Sequence, residues 1–260
     1  MHSLLTQAAL SAASGSIVGF SLGLVGGGGS ILAVPLLVYV VGLDDPHVAI
    51  GTSAIAVALN AGANLAAHAR SGNVKWRCAL TFAVAGVGGA YLGSTLGKIM
   101  DGQRLLALFA VLMMVVGGLM LRNRDQVGNP AVSLSEENLP KLVVSGLGVG
   151  VLSGFFGIGG GFLVVPALVL ATGMPMLNAI GSSLVSVTAF GLTTAANYAL
   201  SGLIDWRIAF FFVAGGIFGG LIGARLAKSL GSRRGVLTSV FSGLIFAVAI
   251  YVLFRYLSAD

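Results

Sequence analysis

Three small polar residues and a histidine share one stripe of the chain. Ser53, Asn60, Asn64 and His68 follow at seven-, four- and four-residue spacing, which puts them on one face of a helix. A second stretch, Ser183, Ser186, Thr194 and Asn197, carries a similar stripe, with Thr52 and Ser182 beside the two leading serines. Hydroxyl and amide donors suit an oxyanion that must bind and leave again. The plainer use of the same groups is hydrogen bonding between membrane helices, and for the lone serines that use leads. Backbone donors come from two glycine knots, Gly26-Gly27-Gly28-Gly29-Ser30 and Gly157-Ile158-Gly159-Gly160-Gly161. Each glycine costs a helix interior roughly 1 kcal/mol relative to alanine, so a run of them predicts a break. A short helix starting after the break would expose unpaired N–H groups and a partial positive charge, a nest for an anion.

The surroundings make such breaks costly. The 260 residues are 57% hydrophobic and 8% charged, with mean hydropathy +1.00, against about 25% charged for a soluble domain. Several apolar runs reach the roughly 20 residues that cross a bilayer as helix. The chain therefore reads as an all-α polytopic membrane protein. Broken backbone at membrane depth is tolerated where protein buries it or where it lines a polar cavity. The formal charge of +6 fits loops on one side of a membrane, and no basic patch with interleaved aromatics points to nucleic acid. A lone Cys78 excludes an intrachain disulfide and a multi-cysteine metal site. No Lys or Arg precedes the first apolar run, so that run reads as a retained membrane helix.

In chain order, apolar segments are predicted at about 4–24, 30–42, 46–70, 76–98 and 103–121, with Asp45 and Pro46 starting the third. The second is too short to cross and holds Pro35. Residues 122–140 form a polar linker. Segments at about 141–156, 162–173, 175–200, 206–229 and 235–257 then repeat the plan. Pro35 aligns with Pro166 and Gly19 with Gly150 at an offset of 131, and Gly51, Gly72, Trp76 and Lys98 align with Gly181, Gly202, Trp206 and Lys228 at 130. Residues 1–121 and 141–260 are thus two repeats, giving about 8–10 membrane segments in total. An inverted second repeat puts ten basic residues on one side and four on the other, whereas a parallel one splits them eight to six; the positive-inside rule prefers inversion, with both termini outside. Interrupted segments in matching places of inverted repeats point to the central site of a transporter.

His68 is a candidate proton carrier, although its place two residues before Arg70 favours an interfacial histidine. Asp44, Asp45 and Asp205 read as caps and loop residues. No HExxH motif, carboxylate dyad, Walker A loop or GxGxxG in a strand–helix context supports an enzyme, a metal site or a bound cofactor.

The residues GLVGGGGSILAVPLL and GFFGIGGGFLVVPAL, AIGTSA and AIGSSL, SGNVKW and SGLIDW, and GGAYLGSTLGK and GGLIGARLAK resemble the TauE/SafE family of sulfite and organosulfur exporters, also called the toluene sulfonate uptake permeases. The resemblance covers essentially the whole chain. It implies a multi-pass permease of the cell inner membrane that moves sulfite, sulfoacetate or other sulfonates. One departure is Ile158, opposite Gly27, which makes the two knots unequal. The reading is a secondary transporter, in the export direction, working by alternating access around a midplane site. That site takes in both knots and both stripes. The partners are a small sulfur-containing anion, the lipid bilayer and a coupling H+ or Na+, with a homodimer left open. Competing readings are a permease for another solute, a cation-coupled uptake system, and a non-transporting membrane scaffold.

Overall fold

A computed structural model describes residues 4–122, 128–129, 132–157, 161–230 and 236–257. The described residues form helices joined by short loops. In order they are α1 (Leu4–Val25), a 3₁₀ turn (Gly26–Leu32), α2 (Ala33–Leu36), a π turn (Leu37–Val41), α3 (Pro46–Arg70), α4 (Trp76–Ile99), α5 (Gly102–Arg122), α6 (Leu139–Phe156), α7 (Gly161–Thr172), α8 (Met176–Ala199), α9 (Trp206–Leu230) and α10 (Val236–Leu257). Seven of these helices are long and apolar enough to span a membrane. The 25 residues of α3 extend about 38 Å, beyond the roughly 30 Å hydrocarbon core; the 12 of α7 extend about 18 Å and reach half-way. The chain is a multi-pass membrane protein.

Local chemistry accounts for the helix ends. Asp45 Oδ1 accepts from His47 N at 2.8 Å, with Pro46 at the first helical position of α3. Asp205 does the same for α9, accepting from Arg207 N at 3.0 Å and Ile208 N at 3.1 Å. Helix α6 begins at Leu139, inside the segment expected to be linker, because proline fits the first helical turn, where its missing N–H is not needed. Gly26 and Gly157 end α1 and α6 with φ of +67° and +66°, a left-handed conformation that costs an L side chain about 1–2 kcal/mol.

Helix pairing follows the smooth glycine faces. Helix α1 packs along α9, α4 along α6, α3 against α8 and α5 against α10. Gly15, Gly19 and Gly23 of α1 meet Phe212, Gly216 and Gly220 of α9, so these two helices run parallel. Gly89, Gly93 and Gly97 of α4 meet Leu147, Val151 and Phe155 of α6, again parallel. In these rows a Cβ would collide with the neighbouring backbone, the approach that small residues permit in membranes. Helices α3 and α8 instead run antiparallel: Gly51 lies beside Tyr198, Gly62 beside Thr188, and Ala58 beside Gly191.

The loops gather at two ends. Asn73 packs on Gly181, and Lys75 N donates to Ser182 Oγ at 2.8 Å, so the α3–α4 loop grips the start of α8. Linker residue Asn129 donates its N–H to Gly173 O at that same end, 2.8 Å away. At the other end Asp205 N donates to Thr52 Oγ1 at 2.9 Å, and Gly102 packs on Pro46.

Candidate functional site at the meeting of the two glycine knots

The two knots touch. The backbones of Gly27 and Gly161 lie so close that a Cβ on either would strike the other. A Cβ on Gly27 would also lie 2.6 Å from Val187 Cγ2, and Val187 is the twelfth of the 24 residues of α8. The contact is therefore at mid-span.

The first knot is not a break with bare donors. The backbone winds on as a 3₁₀ turn through Gly26–Leu32, with Gly28 and Gly29 inside it. Gly27 N donates to Ser183 Oγ at 3.1 Å, Ser183 Oγ donates to Ile180 O at 2.8 Å, and Ser30 Oγ donates to Gly27 O at 2.8 Å. Buried backbone groups need partners, and these bonds pair Gly27 N, Gly27 O and the Ser30 hydroxyl within the turn and with α8. Pro35, which cannot donate to the preceding turn, is followed by the wider π winding of Leu37–Val41. In the second knot, Gly157 packs on Ile50 as Gly26 packs on Ile180. Ser53 donates to Ile50 O at 2.8 Å, as Ser183 does to Ile180 O. Gly159 and Gly160 lie outside the described residues.

The side chains of the two stripes divide by what they touch. Thr52 and Ser182 hold the loops before α9 and α4, so their hydroxyl oxygens accept backbone N–H groups from the other half of the chain. Asn197 is engaged at the far end of α8: its Nδ2 donates to Ser94 Oγ at 2.7 Å and Thr95 Oγ1 at 3.0 Å, and its Oδ1 accepts from Lys98 Nζ at 2.8 Å. Four other residues of the stripes bury polar atoms that have no partner. Asn60 is fully buried, and neither its Nδ2 nor its Oδ1 has a partner. Asn64 donates through Nδ2 to Asn60 O at 2.9 Å but leaves Oδ1 unpaired. The hydroxyls of Ser186 and Thr194 are buried and unpaired as well. Each such group costs about 1–3 kcal/mol, so several of them call for an explanation.

Asn60 and Asn64 fill the notches left by Gly216 and Gly220 of α9, and Asn64 Oδ1 lies 2.9 Å from the Cβ position of Gly23 in α1. Helices α1, α3 and α9 thus meet at these amides. His68 completes the column. Its nearness to Arg70 suggested an interfacial histidine; the ring is enclosed in protein, 2% exposed. Its Nε2 lies 3.0 Å from Gly23 O and its Nδ1 lies 3.5 Å from Asn73 Nδ2. The reason is tertiary, because the 71–75 loop folds back on α8 and closes over the ring.

The positions 130 residues on from this column are Phe190, Thr194 and Tyr198. Phe190 lies in the notch of Gly86 as Asn60 lies in that of Gly216. At the first of these positions one half of the molecule carries an amide where the other carries a phenyl ring. Tyr198, whose buried hydroxyl has no partner, and Ser153 of α6, likewise unpaired, were missed from the sequence. The repeat offset was the available signal for Tyr198, since it stands opposite His68.

The model of the sulfite exporter TauE/SafE family matches residues 11–252. The chain belongs to the TauE/SafE family. A probable membrane transporter protein of Xylella fastidiosa (strain Temecula1 / ATCC 700964) is 54% identical over 246 residues, covering 93% of both chains. The probable membrane transporter protein YunE of Bacillus subtilis (strain 168) is 26% identical, covering 84% of this chain and 88% of its own. A probable membrane transporter protein of Haemophilus influenzae is 28% identical over 72% of each chain. No solved structure matches. This TauE/SafE protein is therefore a membrane transporter, and its unpaired buried amides belong to a chain built to pass a solute.

Proposed function

We propose that the protein exports a small sulfur oxyanion, such as sulfite, sulfoacetate or another organosulfonate, across the cell inner membrane by alternating access. Residues 1–121 and 141–260 are two inverted repeats joined by the linker at 122–140. The antiparallel crossing of α3 and α8, helices that occupy the same place in each half, supports the inversion. The site lies at mid-span, between Gly26–Ser30 and Gly157–Gly161, with Asn60, Asn64, Ser183, Ser186 and Thr194 around it. The observation that carries this reading is the set of buried, unpaired amide and hydroxyl groups on α3 and α8, of which α8 also packs against Gly27 through Val187. A passing anion supplies the missing partners, and a neutral donor set releases it again.

Thr52, Ser182 and Asn197 act as struts that link the halves. His68 is the place for a coupling proton, with Na+ as the other coupling ion, and a homodimer is compatible with the exposed apolar helix faces. The test is flux of radiolabelled sulfite in proteoliposomes, with and without a proton gradient. The expected result is saturable sulfite flux that empty liposomes lack and that sulfoacetate inhibits. Flux indistinguishable from empty liposomes for every sulfur oxyanion would sink the reading and leave a permease for another solute.

A further inference from the structure

We infer that the cavity beside Trp76 is a binding site for the headgroup of an anionic phospholipid. The site is independent of the transported solute, and its failure would leave the transport reading untouched. The cavity, about 330 Å³, lies at the α3–α4 loop and is lined by Lys75, Trp76, Arg77 and the linker residues Val132, Ser133 and Leu134. Two cations and an indole suit a phosphate ester. The cations bind the phosphate oxygens, and the amphipathic ring settles at headgroup level.

An apolar track leads away from the cavity. Trp76, Leu80, Val84, Val87 and Tyr91 share one face of α4, and all five are exposed. A soluble anion has no use for that track, whereas acyl chains lie along it. The occupant is therefore a lipid and not a free phosphate.

The other half of the chain holds a contrasting copy. Ile204, Asp205, Trp206 and Arg207 line a second cavity, 130 residues on. Trp206, Phe210, Ile217 and Leu221 form its exposed apolar track. Asp205 stands where Lys75 stands in the first, and its carboxylate already accepts from Arg207 N and Ile208 N. The first cavity thus carries two positive charges, and the second carries none on balance. Because α3 and α8 are antiparallel, the loops that follow them lie at opposite ends of the bundle. Arg225 and Lys228 come at the end of α9 on the Lys75 side, and Glu137 there is held by Lys141 at 3.5 Å. Asp44, Asp45 and Asp101 lie at the other end. Anionic lipid is therefore drawn to the end that the positive-inside rule places in the cytoplasm, where the leaflet is negative.

The chain supplies its own reporters, because Trp76 and Trp206 are its two tryptophans, one in each cavity. The full-length protein is placed in phosphatidylcholine bilayers with a minor fraction of brominated phosphatidylglycerol or brominated phosphatidylcholine, at about 0.15 M salt. Trp206→Phe leaves Trp76 as the sole indole to be quenched, and Trp76→Phe leaves Trp206. Each basic residue near an anionic lipid is worth about fivefold in binding. Trp76 should therefore see phosphatidylglycerol enriched on the order of tenfold over phosphatidylcholine, and Trp206 should see little difference. Lys75→Gln with Arg77→Gln should bring Trp76 down to the level of Trp206. Equal quenching of Trp76 by the two lipids overturns the inference. The same preference at both tryptophans also overturns it, since the attraction is then diffuse. Relief of Trp76 quenching by millimolar phosphate or sulfite, at constant ionic strength, overturns the lipid assignment and gives the cavity to a soluble anion.

Discussion

Asn60→Leu is expected to abolish sulfite flux and to raise the melting temperature of the purified protein. The two effects have one cause. Asn60 buries a donor and an acceptor that meet nothing, in the notch against Gly216. Leaving such groups dry costs about 1–3 kcal/mol each, and leucine has nearly the same shape without them. The substitution relieves that cost and removes the amide that an anion would use. The loss of two hydrogen bonds to a charged solute weakens binding by about 3 kcal/mol, on the order of a hundredfold. Asn60→Ala guards against overpacking at Gly216, since it removes the amide without adding bulk, and should be equally inactive. A thermal melt in detergent beside proteoliposome flux reads both. A lower melting temperature with normal flux would make Asn60 a packing residue and nothing more.

The second large effect is expected at the contact between the knots. In Gly27→Ala the new methyl would strike the backbone of Gly161, which cannot yield as a side chain can. Overpacking of this kind costs typically about 1–3 kcal/mol, and it would push the two half-helices apart at the point where the site is placed. Flux and sulfite binding should both fall at least tenfold. Gly88→Ala is the matched control, because a Cβ at Gly88 meets nothing within 4 Å in the middle of α4. There alanine should stabilise by about 0.5–1 kcal/mol and leave flux unchanged. Normal flux in a folded Gly27→Ala protein would mean that the knots need no close contact to work.

Much of the architecture can be read before any coordinates. The Asp45-Pro46 start and the basic end at Arg70 bound α3 correctly, because capping and proline chemistry are local. Gly15, Gly19 and Gly23, and Gly89, Gly93 and Gly97, recur at four-residue spacing in the chain and form the smooth faces of α1 and α4. What local pattern cannot show is the destination of a hydrogen bond. Ser53, Thr52, Ser182 and Ser183 look alike on a helical wheel. Yet Thr52 and Ser182 tie loops across the molecule, while Ser183 takes the N–H of Gly27. The first knot was expected to expose its donors, and it winds as a 3₁₀ turn because the dry interior demands partners. His68 reads as interfacial from its neighbour Arg70, but a loop contact made through Asn73 and Gly181 buries it. Such facts belong to tertiary packing and carry no periodic signal.

The most direct test of a mid-span anion site is to see the anion. Selenite, a sulfite analogue whose selenium scatters anomalously, can be soaked into crystals of the full-length protein. Anomalous density is predicted beside Gly27 and Gly161, within hydrogen-bonding reach of the Asn60 and Asn64 amides, and absent in Asn60→Leu crystals. Selenium bound only at the loops near Lys75, Arg77 or Arg207, with the knots empty at saturating selenite, would contradict the account.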